Sequence, residues 1–454
     1  MTIWTPQLPT GRPLYLAIAD AIDRAIQHGP LLPGERLPTQ RELAARLGIA
    51  LTTVTRGYGE AERRGLVRGE VGRGTYVNAA VSDAPGPEAE GPVDLRPNTL
   101  LPLPLLPELR ESLAALMRDP TVLELFDYGP HRGRLRHREA GAAWLARLGM
   151  EVRPDELLVT SGAQHAMMVA LATITEPGDV VLAEEVTYAG MKSLASLLKL
   201  RLEPLPLDKE GLLPDALRAQ ARRHKAVALY AMPTIQNPTS ALMSEGRRRE
   251  VANAVNDAGL TLIEDDSYGY LDPGPPRLST FCERGFHIAG TSKSLLPALR
   301  VAFLHGPANT IERAEARVAA TTYLVSPLMT EAVARWLADG TAERVMAWKR
   351  EEARARQGMA ARAFADFDYR SHEKSAHGWL LLPEPWSARD FVRQAAERGA
   401  LVTPADVFAV GRDNVPHAVR ICLGPARSRR TLERGLAALA ATLEAGPEPV
   451  EVVI

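Results

Sequence analysis

The chain has 454 residues, with 54 basic and 55 acidic side chains and a formal net charge of −1 at pH 7. This length exceeds that of one ordinary domain. Two cysteines are too few for a disulfide or metal framework, and the ten histidines form no spaced pair, so we expect no metal site. No charged-then-apolar leader opens the chain, and no apolar run reaches about 18 residues, so we expect a cytoplasmic protein without membrane spans.

The first 78 residues form a compact series of predicted elements. Apolar side chains recur at helical spacing near the start of the chain. Thr39 is followed three residues later by Glu42, which is a capping-box pattern, and the helix it opens is predicted to end at Gly48. The predicted elements are, in chain order, helices at 13–22, 40–47 and about 52–64, and strands at 65–68 and 72–77 around a glycine-rich tip.

This order of elements indicates a winged helix-turn-helix, in which the second helix of the pair enters the DNA major groove. Charge supports this interpretation only modestly, because residues 1–78 contain ten arginines against seven acids. An ordinary solvated surface would show a similar surplus.

The motifs of this region are more specific than its charge. The segments 38–44, 52–58, 65–66 and 72–77 resemble the GntR-type DNA-binding domain. The resemblance implies that Arg41 and Arg56 contact phosphates or base edges, that Thr53 faces the groove, and that Arg73 reaches from the wing towards the minor groove. Leu51 stands where a polar residue is common at the start of the recognition helix, which leaves the operator sequence open.

Residues 79–92 are rich in proline, acids and small residues and have no apolar period. This composition is typical of a semi-flexible tether. We therefore expect a DNA-binding domain at 1–78, a linker at 79–92 and a large domain at 93–454.

Lys293 is the most informative residue of the large domain, because the chain has only seven lysines against forty-seven arginines. An amine can form a Schiff base with an aldehyde, whereas a guanidinium stays protonated and delocalised. Lys293 is therefore a candidate attachment site for pyridoxal phosphate, although an isolated lysine is far more often a surface residue.

Three upstream segments each supply a part that such a cofactor needs. An apolar strand ends in acids at 264–266, where Asp265 can hold a pyridine nitrogen protonated. A strand, a small-residue turn at Gly162 and a helix start offer amides to a phosphate, and Arg300 offers a bidentate fork. Asn237 adds an amide beside the ring. Each segment alone also fits an ordinary strand and turn.

Together these segments resemble fold-type I aminotransferases over residues 93–445. The resemblance implies a pyridoxal phosphate-dependent α/β domain with a large α/β/α lobe and a small α+β lobe. It implies that Lys293 is the catalytic, Schiff-base lysine and that Arg420 binds an effector's carboxylate. The cofactor-binding residues that it implies are Tyr128, Gly162, Ala163, Gln164, Tyr188, Asn237, Asp265, Tyr268, Ser292, Lys293 and Arg300.

Two positions depart from the family's pattern. Gly290 stands in place of a serine three residues before Lys293, so Thr291 or Ser292 must supply the missing phosphate hydroxyl. Ser240 follows the Asn-Pro-Thr motif where the family has glycine. We further expect the small lobe to combine residues 92–109 with residues after about 330.

A GntR-type domain joined to this large domain resembles the MocR subfamily of GntR regulators from end to end. Three functions stay open: a regulator that senses an amine, an amino acid or the cofactor; an aminotransferase with an accessory winged helix; and a DNA-binding protein whose large domain only dimerises. The N-terminal domain and the complete set of cofactor residues favour the first. Its expected partners are operator double-stranded DNA, a small amine effector and a second copy of the chain.

Overall fold

The structure is a computed structural model that describes residues 4–6, 8, 13–27, 31, 34–64, 66–70, 74–77, 91–411 and 415–447. Its contacts divide the chain into two compact units, residues 1–90 and 91–454. The predicted wing residue Arg73 and nearly all of the predicted linker lie outside the described residues.

The N-terminal unit contains the predicted order of elements. Its second helix has the expected capping box, in which Thr39 and Glu42 exchange backbone-to-side-chain hydrogen bonds of 2.8 and 3.2 Å. That helix is terminated by Gly48 in the left-handed conformation, with φ of +64°. The elements are α1 (Leu14–Gln27), α2 (Gln40–Leu47), α3 (Leu51–Arg63), β1 (Val67–Glu70) and β2 (Gly74–Val77), with β1 and β2 antiparallel.

The core of this unit forms where α1 and α3 pack closely. A Cβ added at Gly57 of α3 would lie 2.9 Å from Ile18 of α1, so glycine is needed at this crossing. Leu43 and Val54 are fully buried beside them. The hydroxyl of Tyr58 donates to the carbonyl of Pro38 at 2.8 Å, which ties α3 to the turn before α2.

The C-terminal unit is a two-lobed α/β structure. Its strands are β3 (Val93–Asp94), β4 (Leu157–Thr160), β5 (Val180–Glu184), β6 (Arg201–Leu205), β7 (Leu207–Asp208), β8 (Gly211–Leu212), β9 (Ala228–Ala231), β10 (Thr261–Asp265), β11 (Gly285–Gly290), β12 (Ala302–His305), β13 (Tyr369–Ser371), β14 (His377–Leu381), β15 (Ala400–Leu401), β16 (Thr403–Pro404) and β17 (Ala418–Cys422).

The helices of this unit cover both lobes. They are α4 (Leu106–Arg118), α5 (Leu135–Arg147), α6 (Ala163–Ile174), α7 (Ala189–Leu197), α8 (Pro214–His224), α9 (Glu245–Asp257), α10 (Thr291–Ser294), α11 (Ile311–Thr321), α12 (Pro327–Ala338), α13 (Thr341–Ala363), α14 (Ala388–Glu397) and α15 (Arg429–Ala445). In the part of the chain that the structure describes, no helix is both long and apolar enough to cross a membrane.

The large lobe is built on a seven-stranded sheet in the order β4-β12-β11-β10-β9-β5-β6. All neighbouring strands are parallel except β12, which is antiparallel to both β11 and β4. The carboxyl ends of the six parallel strands therefore meet at one edge. Because β12 runs the opposite way, its start meets the same edge and places Arg300 there.

The small lobe contains the antiparallel sheet β13-β14-β17-β16 and the parallel pair β15-β3. Its core includes Val93 and Ala360, whereas Leu109 and Trp336 are buried in the core of the large lobe. The expected lobe boundary was therefore wrong: α4, α12 and the first part of α13 pack on the large lobe. Helical periodicity indicates a buried face but does not indicate which lobe covers that face.

We predict that Thr39→Ala lowers the stability of α2 by about 1 kcal/mol, because it removes the side-chain cap of the Glu42 amide. Amide hydrogen exchange of Leu43 and Ala44 in the full chain would measure this change. Thr52→Ala, at an exposed position in the first turn of α3, is the matched control. Equal exchange rates in the two variants would contradict the importance of the cap.

Candidate functional site

A cavity of about 270 Å³ lies at the edge of the large sheet where the strand ends meet. Loops that follow β5, β9, β10 and β11 contribute to it, together with Arg420 of β17 in the small lobe. Ten residues that the sequence assigned to the site line this cavity: Ala163, Gln164, Tyr188, Asn237, Asp265, Tyr268, Ser292, Lys293, Arg300 and Arg420.

Asp265 lies buried on the floor of the cavity with both carboxylate oxygens hydrogen-bonded. The hydroxyl of Tyr230 donates to one oxygen at 2.9 Å, and the amide and hydroxyl of Ser267 donate to the other at 3.1 and 2.5 Å. Burial raises the pKa of Asp265, and these hydrogen bonds oppose the rise. A cationic ring nitrogen beside this carboxylate would favour its charged form.

Lys293 lies on the short helix α10, which directly follows β11. Burial lowers the pKa of Lys293, which makes the neutral, nucleophilic amine more accessible. Its Nζ donates to the main-chain carbonyl of Asn98. The buried Lys349 of α13 donates to the carbonyls of Lys293 and Leu295 at 2.8 and 2.6 Å and thereby holds the end of α10.

An anion cradle lies at the start of α6, next to Lys293. Gly162 precedes this helix with φ of +81°, and a Cβ added there would lie 2.5 Å from Nη2 of Arg300. Glycine therefore leaves the guanidinium room at the open end of the helix, where amides and the helix dipole favour an anion. Nη1 of Arg300 donates to the hydroxyl of Ser292 at 3.0 Å. Thr291 is turned away, since its hydroxyl donates to Val301 at 2.7 Å.

Arg420 brings a buried positive charge to the small-lobe side of the cavity. Its guanidinium donates to Oδ1 of Asn237 at 2.9 Å and to the carbonyl of Arg96 at 2.8 Å, and it lies 4.7 Å from the ring centre of Phe408. These hydrogen-bond partners are neutral. Its Nε has no hydrogen-bond partner among the described residues. A carboxylate that entered the cavity would supply the counter-charge to this guanidinium.

Tyr128 is the one predicted cofactor residue that lies away from this cavity. Its side chain is 79 % exposed and stacks edge-on against Tyr323, with ring centres 5.4 Å apart.

The predicted DNA-contacting residues lie on α2 and α3. Arg41 is exposed on α2, and Thr53 is half-buried in the first turn of α3. The guanidinium of Arg56 lies over the ring of Tyr15 at 4.3 Å, although its side chain is exposed.

Six further residues line the cavity that were not among the predicted site residues: Arg96, Pro97, Asn98, Met232, Ser267 and Gly290. Met232, Ser267 and Gly290 lie within or near the sequence motifs that predicted the site. Their position in the chain could therefore have indicated that they line the cavity. The segment 96–98 carried no such signal, because its contacts with Tyr268 and Arg420 are made across 170 or more residues of sequence.

A second buried cluster lies behind the sheet edge. Glu264, Asp266 and His287 offer ligand atoms within 4.8 Å of one another. Arg277 pairs with Asp266 at 2.9 Å, and Arg248 approaches Glu264 at 3.7 Å. These guanidinium groups supply the positive charge that a cation would otherwise bring, so the cluster is an internal ion-pair network.

Glu184 is a buried acid at the end of β5 that no motif indicated. It accepts hydrogen bonds from the Gln236 side chain, the Met232 amide and the Thr187 hydroxyl, each at 3.1 Å. Burial raises its pKa to about 7, and the nearby Asp265 adds to the rise. Glu184 thus holds the loops that carry Tyr188 and Asn237 while itself titrating near neutrality.

The sequence matches two families along its length. Residues 14–77 match the gntR family of bacterial regulatory proteins, and residues 122–439 match aminotransferase class I and II. The HTH-type transcriptional regulator YdeF of Bacillus subtilis is 32 % identical over 97 % of both chains. The vitamin B6 salvage pathway transcriptional repressor PtsJ of Salmonella typhimurium is 28 % identical over 89 % of this chain and 93 % of its own.

Among solved structures, the α-aminoadipate aminotransferase LysN of Thermus thermophilus superimposes with a TM-score of 0.70. It is 26 % identical and covers 78 % of this chain and 93 % of its own. The chain therefore belongs to the GntR-type transcription regulators that carry an aminotransferase class I and II domain, which is the layout of the MocR subfamily. Pyridoxal phosphate is the cofactor of this fold, and the anion cradle, Asp265 and Lys293 have the donor chemistry that fits it.

We predict that Glu184 makes the stability of the large lobe depend on pH. Its pKa is raised from the ordinary value of 4.5 to about 7, so the folded protein favours the protonated side chain. The contribution of Glu184 to the free energy of unfolding is therefore fully present below pH 4.5 and is lost as pH rises through 7. The loss is roughly 3 kcal/mol. Thermal unfolding of wild type and Glu184→Gln at pH 5 and pH 8 would show a smaller pH dependence in the variant. Glu185→Gln is the matched control, and identical pH dependence in wild type and Glu184→Gln would contradict the prediction.

Proposed function

We propose that this protein is a pyridoxal phosphate-binding transcription regulator that acts in the cytoplasm. Its N-terminal unit binds operator double-stranded DNA, and its C-terminal unit senses an amine, an amino acid or the cofactor itself. The proposal rests on one observation. A chain that contains a GntR-type helix-turn-helix also brings the amine of Lys293, the carboxylate of Asp265 and the anion cradle together in one cavity.

The ring of the cofactor would be held by groups at the ends of four strands, β5, β9, β10 and β11. Lys293 would attach its aldehyde, Asp265 would face its pyridine nitrogen, and Tyr268 with Asn237 would face its phenolic oxygen. Tyr188 would stack on the ring. When bound, pyridoxal phosphate supplies an electrophilic aldehyde that reacts with amines and a ring that withdraws electrons.

The phosphate would occupy the anion cradle. The residues proposed to hold it are Gly162, Ala163, Gln164, Ser292 and Arg300. Ser292 would supply the hydroxyl that Gly290 lacks, because the hydroxyl of Thr291 is engaged by Val301.

The effector would carry a carboxylate or a comparable anion beside its amine. Arg420 supports this proposal, because it is buried with neutral hydrogen-bond acceptors where strand β17 of the small lobe borders the cavity. The solved structure of LysN contains N-(5′-phosphopyridoxyl)-L-leucine, a pyridoxyl group joined to an amino acid. An amino acid is accordingly the first effector class to test.

A homodimer would complete both functions. The large apolar side chains Leu123, Phe126, Tyr128, Leu135 and Tyr323 are exposed, and such groups are typical of surfaces that a partner covers. In a dimer, Tyr128 would reach the phosphate of the second copy. Two DNA-binding units would then be available for two operator half-sites.

We predict that Lys293→Ala binds pyridoxal phosphate more weakly and forms no adduct that borohydride can reduce. The other cradle and ring residues remain in this variant, so binding is reduced rather than abolished. Absorbance titration and intact mass after borohydride treatment measure the two properties. Basal DNA binding should be unchanged, while the DNA-binding response to an effector changes. A reducible adduct at full occupancy would refute the role of Lys293.

Arg420→Ala is the matched variant for effector recognition. It should keep the reducible adduct and lose the response to carboxylate-bearing amines, since one desolvated bidentate pair contributes roughly 1.5–3 kcal/mol. Promoter footprints with and without amino acids are the direct test of regulation. Identical footprints together with rapid amine turnover would favour an aminotransferase with an accessory DNA-binding unit.

We predict that Arg41→Ala and Arg56→Ala each weaken operator binding by about 1–3 kcal/mol. The absorbance of the bound cofactor should not change. Arg147→Ala, at an exposed position of the C-terminal unit, is the control for loss of one positive charge. Fluorescence anisotropy would measure the operator affinity of each variant. Unchanged binding in the Arg41→Ala, Arg56→Ala double variant would contradict the proposal that α2 and α3 contact the operator.

A further inference from the structure

We propose that Asn98 and His377 are positioning residues that direct the hydroxyl hydrogen of Tyr268 into the cavity. Asn98 lies near the start of the C-terminal unit and His377 begins β14 of the small lobe, and no sequence motif indicated either. The inference rests on the proposed function, because Tyr268 is there assigned to the phenolic oxygen of pyridoxal phosphate.

The protonation of His377 is fixed by its neighbours. Its ring is buried, and Nε2 lies 3.1 Å from the main-chain carbonyl of Gln236. A carbonyl can only accept, so Nε2 must carry the hydrogen. Burial and the charge of Arg420 lower the pKa of His377 to about 3, so the ring is neutral and Nδ1 is a bare acceptor.

The bare Nδ1 in turn fixes the orientation of the Asn98 amide. Nδ2 of Asn98 lies 3.1 Å from Nδ1 of His377 and 2.8 Å from the hydroxyl oxygen of Tyr268. A flipped amide would place its oxygen against the bare nitrogen, which is repulsive. The two N–H groups of Asn98 therefore donate to His377 and to Tyr268.

Tyr268 consequently uses its oxygen as an acceptor, and its hydrogen must point elsewhere. Tyr268 is buried and lines the cavity, and its pKa is raised well above the ordinary value, so it remains a hydroxyl donor. The donor direction left to it faces the space that the ring of the cofactor would occupy. An anionic oxygen there would receive the hydrogen without competition from Asn98.

His377 is held in place by further hydrogen bonds. The hydroxyl of Ser375 lies 3.2 Å from Nδ1 of His377 and accepts from its amide at 3.1 Å. The carbonyl of His377 accepts from Ser240 and Gln357 at 3.0 and 2.9 Å.

Ser240 also links the two lobes at this point. Its φ of +62° is a conformation that glycine would adopt more easily, and its hydroxyl bond to the His377 carbonyl helps to offset that strain. The same set of bonds thus ties the small-lobe strand β14 to the loop that carries Asn237.

Two substitutions at His377 separate its two hydrogen bonds. His377→Gln can place an amide donor where Nε2 stood and keep the bond to Gln236, but it leaves Asn98 without an acceptor. His377→Asn can place an oxygen where Nδ1 stood and keep the acceptor for Asn98, but it loses Gln236. The proposal expects pyridoxal phosphate affinity about tenfold weaker in His377→Gln and close to wild type in His377→Asn.

The absorbance of the bound cofactor gives a second readout. Loss of a directed donor disfavours the anionic ring oxygen, so the midpoint pH of its visible spectrum should rise in His377→Gln and stay near wild type in His377→Asn. A merely structural role would give the opposite order, because His377→Gln preserves the contact between the lobes. Equal values in the two variants, or that reversed order, would overturn the proposal.

A double-variant cycle that combines Asn98→Ala with Tyr268→Phe tests the proposal without the His377 variants, and so does not depend on their folding. Asn98→Ala should weaken cofactor binding about tenfold in the wild-type background and not at all in the Tyr268→Phe background. Full additivity would overturn the proposal. Unchanged operator affinity and thermal unfolding show that each variant is folded.

The tautomer can be measured in the full chain without cofactor. Nitrogen-15 NMR of His377 should show a protonated Nε2 and a bare Nδ1 down to about pH 5. A protonated Nδ1 would overturn the proposal even if wild type bound no pyridoxal phosphate. Absence of cofactor binding in wild type, with the expected tautomer present, would instead refute the proposed function and leave the hydrogen-bond order established.

Discussion

The site depends on one constraint, the meeting of strand ends at a single edge of the large sheet. Six strands deliver their carboxyl ends to this edge, and the reversed strand β12 delivers its beginning. This reversal places Arg300 beside Gly162, although 138 residues separate them, and a side chain at Gly162 would collide with its guanidinium. The anion cradle therefore follows from sheet topology as much as from the residues that form it.

Burial gives the cavity its chemistry. It shifts the pKa of Lys293 downward and that of Asp265 upward, so both groups move towards their neutral forms. The hydrogen bonds that Arg420 donates to Asn237 and to the carbonyl of Arg96 go to neutral acceptors. Pyridoxal phosphate would bring an aldehyde to Lys293 and a cationic ring nitrogen to Asp265, and the anionic group of an effector would bring the counter-charge to Arg420.

Regulation through such a site requires that the ligand distinguish two states of the protein. A ligand with equal affinity for two arrangements of the DNA-binding units would change neither population, however tightly it bound. The contacts made by Lys293 and Arg420 with the main chain of residues 96–98 are relevant here. Lys293 and Arg420 are also the groups proposed to bind the cofactor and the effector, so ligand binding and these contacts compete for the same donors.

Local motifs were sufficient to predict the parts of this protein whose geometry is local. The capping box of α2, its glycine terminus, the glycine turn before α6 and the acids after β10 each lie within a few residues, and local rules of hydrogen bonding and backbone conformation fix them. The family resemblance then supplied the order of these parts, and ten of the predicted residues meet in one cavity.

Tertiary structure alone decided the features that depend on distant partners. The pairing of β12 with β4, the packing of α12 against α5 in the large lobe, and the approach of Asn98 and His377 to Tyr268 join segments 100 or more residues apart. Apolar periodicity indicates that a face is buried, and a buried polar residue needs a hydrogen-bond partner. Neither pattern indicates which distant segment supplies the contact, because the packing of the whole domain determines it.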